Sequence, residues 1–192
     1  MYDIAIIGAG VIGCSIAREL SKYELKTVVI EKNPDISWGT SKANSGIVHA
    51  GYDPEPGTMK AKMNVEGAKL YPSIVSELSV PYKETGTLVV AFDEEQEKSI
   101  EELKKRGEKN GVREIEIIDR DKVMELEPRL NPDIKLALYA KNAAIVSPYE
   151  FTIALAENAM AVISEVHGRI REKAKISRIY VKTTMGKPVR VL

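Results

Sequence analysis

Six residues near the start of this 192-residue chain, Gly8-Ala9-Gly10-Val11-Ile12-Gly13, constrain its fold more than any other feature. They follow Asp3 to Ile7, a short, nearly continuous apolar run that reads as a strand covered on both faces. They open an amphipathic stretch from about Val11 to Tyr23, with Ile12, Ile16, Ala17 and Leu20 at helical spacing. Thr27 to Glu31 is then a second strand, rich in β-branched residues. A strand, a crossover helix and a strand this close in sequence become parallel neighbours in one sheet.

The spacing of the glycines has a physical reading. Gly8 permits a tight turn, and Gly10, lacking a Cβ, lets the backbone approach a pyrophosphate. Gly13 lets the helix pack down on the strand. Phosphates would meet the unpaired N–H groups and positive end of that helix. Glu31 closes the second strand 18 residues after Gly13, where a carboxylate can hydrogen-bond ribose hydroxyls. An acid there repels a 2′-phosphate and disfavours NADP. A ligand-free glycine turn would leave the matching strand, helix and terminal acid unexplained.

FAD and NAD share this fingerprint. The loop Gly39-Thr40-Ser41-Lys42-Ala43-Asn44-Ser45-Gly46 favours FAD, because small and polar residues admit a ligand extending beyond the adenosine. The whole segment from Asn33 to Gly57 lacks periodicity, and a loop of that length in a compact domain is usually functional.

Farther along, Lys60 to Leu78 reads as helical with a break or restart at Pro72. Thr87 to Phe92 is a strand, and Asp93 to Asn110 a charge-laced helix stopped by Asn110-Gly111. Glu114 to Ile118 is a strand, Asp119 caps a short helix ending before Pro128, and Ile134 to Ala140 alternates like a strand. Ser147-Pro148-Tyr149-Glu150 starts a helix that runs to about Met160.

The segments DIAIIGAGVIGCSIARELS, VVIEK and GTSKANSGIVHAGYDPEPG together resemble the FAD-dependent oxidoreductases of the D-amino-acid-oxidase type, nearest to the glycerol-3-phosphate dehydrogenase and L-2-hydroxyglutarate oxidase branch. GTLVVAF, ELEPRLNP and AAIVSPYEFTIALAENA extend the resemblance to about residue 160. It implies an α/β fold: an incomplete Rossmann-like FAD-binding βαβ core plus part of an α+β antiparallel substrate-domain sheet. The expected division is 1–80 for the FAD-binding part, 81–147 for the substrate part, 148–160 for a helix returning to the FAD domain, and 161–192 for an atypical tail.

The implied activity is dehydrogenation of a CH–OH group of a small anionic substrate by hydride transfer to flavin, with glycerol 3-phosphate ahead of L-2-hydroxyglutarate or another 2-hydroxy or amino acid. A non-catalytic dinucleotide-binding or subunit module is the reading from another class, and an NAD-binding regulator is a third. The resemblance assigns Gly8, Gly10, Gly13, Glu31, Lys32, Thr40, Ser41, Asn44, Ser45 and Gly46 to the cofactor. His49 has two readings, a base or orienting group beside the flavin or a structural histidine bonded to a loop carbonyl. Lys60 and Lys62 read as a solvated face in preference to an anion site.

Composition narrows the remaining classes. One cysteine, Cys14, excludes an internal disulfide and suits a reducing cytoplasm. Two histidines and no Cys/His cluster argue against a metal site. No apolar run reaches membrane-spanning length, and the Met-Tyr-Asp start leaves no room for a signal peptide. The mixed charges of the 93–110 helix, without aromatics, argue against nucleic acid. The electron acceptor stays unnamed, and a partner subunit is compatible with the pattern. Residues 161–192 carry eight Lys/Arg against two Asp/Glu. They are expected to be a non-family tail, as a frameshift or premature stop would give, and the isolated chain is expected to be marginally stable and to bind FAD weakly.

Overall fold

The computed structural model describes residues 2–170, 180–183 and 189–190 and divides the chain into two compact units. The first unit comprises residues 1–45, 78–80 and 147–192, the second residues 46–77 and 81–146.

The first unit begins with β1 (Ile4–Ile7), α1 (Val11–Leu20) and β2 (Thr27–Glu31). The two strands pair in parallel, Ile4 opposite Thr27 through Ile7 opposite Ile30, as the pattern of apolar strand, glycine turn and amphipathic helix requires.

The second unit contains β3 (Ile47–Val48), α2 (Met59–Leu78, all but its last residue), β4 (Tyr82–Glu84), β5 (Thr87–Ala91), α3 (Glu94–Asn110), β6 (Ile115–Asp119), α4 (Arg120–Leu126), β7 (Leu136–Ala140) and β8 (Ala144–Val146). Two antiparallel three-stranded sheets result, in the orders β3-β8-β4 and β5-β7-β6. In the second, β7 is central and carries the fully buried Ala137 and Leu138. Leu138 packs with Ala91 and Ile100, while Ala137 packs with Ile118, Val123 and Ile134. Helix α3 starts where Asp93 accepts a hydrogen bond from the Gln96 N–H and stops at Gly111 in the left-handed conformation, φ +79°. Asp119 caps α4 in the same way through Lys122 N–H.

The chain returns to the first unit with α5 (Pro148–Ile170), β9 (Tyr180–Thr183) and β10 (Val189–Arg190). Strand β9 runs parallel to β2, and the sheet order is β1-β2-β9-β10. Ile6, Ala17 and Ala159 form the core of this unit, flanked by Ile4, Leu20 and Val29. Arg18 on α1 is buried and donates from Nε to Asn158 Oδ1 of α5 at 2.9 Å.

Residues 46–77 fall in the second compact unit, where β3 pairs with β8 and Val65 of α2 packs with Ala50, Val112, Ala140 and Ala143. Several expectations need correction. The last helix continues ten residues past Met160, since no proline stands between Met160 and Ile170. Helix α2 runs through Pro72, accepting the loss of one backbone donor. Strand β1 is covered on one face only: Ile6 is buried, whereas Ile7 is 79% exposed at what is, among the described residues, the end of its sheet. The turn read at Met185–Pro188 lies outside the described residues.

Candidate nucleotide-binding site

The glycine turn is drawn tight by its own backbone. Gly8 takes φ +97° and donates its N–H to the Ile30 carbonyl at 2.7 Å. A Cβ on Gly13 would collide with the Gly8 carbonyl oxygen, so helix and strand can pack this closely only with hydrogen at that position. Gly10 caps α1 with no side chain of its own, and no acidic residue occupies the first turn to repel an anion.

Two loops converge on this turn. From the end of β2, Glu31 Oε2 accepts the Ala9 N–H at 2.7 Å while Oε1 accepts the Asn33 N–H at 2.9 Å. These backbone donors, Ala9 first, hold the Glu31 carboxyl below its ordinary value, so it is ionised at neutral pH. From the following loop, Ser41 Oγ accepts the Val11 N–H at 2.9 Å, and a Cβ on Gly10 would stand 3.0 Å from that same oxygen. Ser37 donates its N–H to Ala9 O at 2.9 Å, with φ +64°. The Ala9 peptide is therefore gripped from both sides, by a carboxylate on its N–H and an amide on its carbonyl.

The structure brings Gly8, Gly10, Gly13, Glu31 and Ser41 together around Ala9. Lys32, Thr40, Asn44 and Ser45 lie exposed in the same loop. There the Asn44 carboxamide donates to Thr40 O at 2.9 Å and Ser41 O at 3.1 Å. Lys42 holds its ammonium 5.0 Å from the centre of the Trp38 ring. Gly46, at φ +66°, and the exposed His49 belong to the second unit. Lys60 and Lys62 are exposed on α2, as a solvated face requires. Sequence reasoning missed Ala9 and Ser37. A small residue between Gly8 and Gly10 was a usable signal for the first; no sequence pattern marks the second.

Cys14 is buried one turn into α1, its Sγ 3.5 Å from Ala9 O, and burial pushes its thiol up to about 11. Among the described residues no group of acids, histidines and cysteines could hold a metal, and no helix is long and apolar enough to cross a membrane.

A parallel βαβ unit with glycine at the helix entrance and an ionised acid at the end of its second strand defines a dinucleotide-binding protein. The residues fit a pyrophosphate and a ribose: the helix entrance carries a glycine and a hydroxyl with no acid in the first turn, and the carboxylate is anchored at the turn itself. The comparisons with known proteins sharpen this class. The model of the FAD dependent oxidoreductase family matches residues 3–191, and the chain belongs to that family. The match runs through residues 161–191, so the expectation that family likeness ends near Met160 is corrected.

Glycerol 3-phosphate dehydrogenase of Caloramator mitchellensis is 54% identical over 160 residues, covering 83% of this chain and 33% of the relative. The mitochondrial L-2-hydroxyglutarate dehydrogenase of Caenorhabditis elegans is 36% identical over 192 residues, covering 99% of this chain and 43% of the relative. Among solved structures, the L-alpha-glycerophosphate oxidase of Mycoplasma pneumoniae with FAD bound superposes with a TM-score of 0.79 at 35% identity, covering 84% of this chain and 43% of that one. The chain thus spans a third to under half the length of these relatives.

Proposed function

We propose that this chain holds the adenosine diphosphate part of FAD at the α1 entrance and serves a flavoenzyme that oxidises the secondary alcohol of glycerol 3-phosphate. The observation that carries the reading is the Glu31 carboxylate anchored on Ala9 N–H, which presents an ionised acceptor beside a glycine-capped helix entrance. Glu31 Oε2 accepts from Ala9 N–H and Oε1 from Asn33 N–H, which fixes the carboxylate at the position from which an acceptor meets ribose hydroxyls. Gly8, Gly10 and Gly13 let the pyrophosphate approach, the Thr40 and Ser41 hydroxyls donate to it, and Lys32 flanks the adenosine. Asn44, Ser45 and Gly46 line the path toward the flavin ring. FAD, when bound, supplies the hydride acceptor. His49 takes the proton of the substrate hydroxyl as the hydride leaves the carbon.

Glycerol 3-phosphate is favoured by the 54% identity to the Caloramator enzyme. L-2-hydroxyglutarate, or another 2-hydroxy or amino acid, is the second substrate reading, favoured by the end-to-end match to the nematode enzyme. A non-catalytic nucleotide-binding or subunit module is the reading from another class. The lone cysteine supports a cytoplasmic setting, and a partner subunit and an electron acceptor complete the proposal.

Titration with FAD, followed by anaerobic addition of each substrate, tests it. Quenched flavin fluorescence that is reversed by ADP, and bleaching by glycerol 3-phosphate ahead of L-2-hydroxyglutarate, are expected. A folded chain with affinity for neither FAD nor ADP would end the reading. Bound FAD that no substrate reduces would leave the binding module.

A further inference from the structure

Helix α3 looks at first like a solvated surface helix, yet its last turns reach into the loop that follows His49. Asn110 donates from Nδ2 to the carbonyls of Gly51 at 2.9 Å and Pro54 at 2.8 Å. Four residues earlier, on the same face, the Arg106 guanidinium donates to Asp53 O at 2.8 Å and lies 3.5 Å from Glu55 Oε2. Between them, a Cβ on Gly107 would stand 2.9 Å from Tyr52 Cβ, so the loop lies directly against the helix backbone. Five consecutive residues, 51 to 55, are thereby met by three residues of α3.

The start of this loop is fixed as firmly. Ala50 is fully buried in a cluster with Val65, Val112, Ala140 and Ala143. Gly51 takes φ +107°, where a Cβ would strike Val65 Cγ2 at 2.5 Å. On the other side of His49, Val48 is buried and pairs with Ala144 of β8. His49 is thus an exposed side chain on a backbone pinned before and after it. Asn110 Oδ1 is buried without a partner. The carboxamide is oriented by its two N–H donations, and a carboxylate, having nothing to donate, cannot replace it.

We infer that Asn110 and Arg106 are positioning residues for His49, holding its loop so that the imidazole is presented in one place. The inference rests on the reading of His49 as the group that takes the substrate's proton. Side-chain donors bridging two loop carbonyls are the kind of support that keeps a reactive group within the narrow geometry its chemistry demands.

The chain has two histidines, His49 and His167, so the ring proton signals of His49 can be followed by NMR and assigned with His49→Gln. Asn110→Asp and Arg106→Gln are compared with Val123→Ala, a core substitution packed among Ile118, Ile134 and Ala137. The two clamp variants are expected to broaden the His49 signals and move them toward their unfolded-chain positions. Val123→Ala should lower Tm and leave them in place. In the FAD-loaded chain the clamp variants should also slow flavin reduction by glycerol 3-phosphate without changing FAD affinity.

His49 signals unmoved in both clamp variants, or moved equally by Val123→Ala, overturn the inference alone. Arg106→Gln alters a side chain two-thirds buried on the surface helix, so it gives an answer even where Asn110→Asp does not fold. A His49→Gln chain whose bound flavin is reduced as fast as wild type overturns the reading of His49 and the inference with it.

Discussion

The turn at Gly8–Gly13 and the loop at Gly51–Glu55 both reverse the chain at a glycine of positive φ, +97° and +107°, yet they are stiffened in different ways. The first is closed by groups within about thirty residues of it: Glu31, Ser37 and Ser41. The second is closed by Asn110 and Arg106, 53 to 59 residues away along the chain. Loop closure over longer separations costs more entropy, though slowly. The larger difference is in kind. The turn is backbone held by backbone, one carboxylate and one hydroxyl, with glycine at its helix entrance. The loop is backbone held by side chains that fill the space against it. One arrangement suits a ligand that must come close, the other a side chain that must stay still.

Substituting the two glycines should break the comparison most sharply. Gly13→Ala places a methyl group against the Gly8 carbonyl, a backbone atom that cannot swing away. A loss of about 3 kcal/mol is expected, the upper part of the range for overpacking, together with loss of FAD binding. Thermal unfolding and flavin titration measure both. Gly51→Ala meets side-chain atoms, Val65 Cγ2 first and Asn64 Oδ1 next, and demands a left-handed alanine, and about 2 kcal/mol is expected. FAD affinity should survive in Gly51→Ala, and equal loss in both variants would show that the two regions are not independent.

Glu31 tests the first region by charge. Its folded carboxyl sits below the ordinary value of 4.5 because three backbone N–H groups donate to it, so its contribution is complete above that value and fades as pH falls through the folded one. Tm of the wild type should therefore drop more steeply below pH 4.5 than that of Glu31→Gln, the two curves converging in acid. At neutral pH the glutamine should cost about 1 kcal/mol, since the half-exposed acid is partly screened by water. Parallel curves would mean that the carboxylate holds nothing.

The same contrast explains what the sequence made legible. The glycines of the turn and the acid at 31 stand at fixed spacing because one ligand and one helix impose it, so they can be read locally. The cap at Asp119 and the stop at Gly111 were legible because each is a local signal, whereas Asp93, read as the first residue of its helix, is its cap. Strands β3, β4 and β8 are two or three residues long and exist only as each other's partners, which no local pattern records. The packing of residues 46–77 within the second unit depends on those pairings and on Val65, and so has no local signal. Asn110 was read as a helix stop, which it is; that its carboxamide crosses to Gly51 and Pro54 could not be known without the fold.

The smallest effect sharpens the comparison by giving the first region a reporter. Burial holds the Cys14 thiol up at about 11, and its sulfur lies against the Ala9 carbonyl, so alkylation at mildly alkaline pH requires the turn to open. Labelling of the native chain should be slow and should leave Tm of the unlabelled fraction unchanged. Gly13→Ala should speed it many-fold, because the helix can no longer close on the strand. Gly51→Ala should leave the rate where it was, and FAD should slow it in the wild type by holding the turn shut. A labelling rate that rises equally in both glycine variants would place the opening event in the whole chain, and the distinction between a turn stiffened locally and a loop stiffened from afar would lose its physical content.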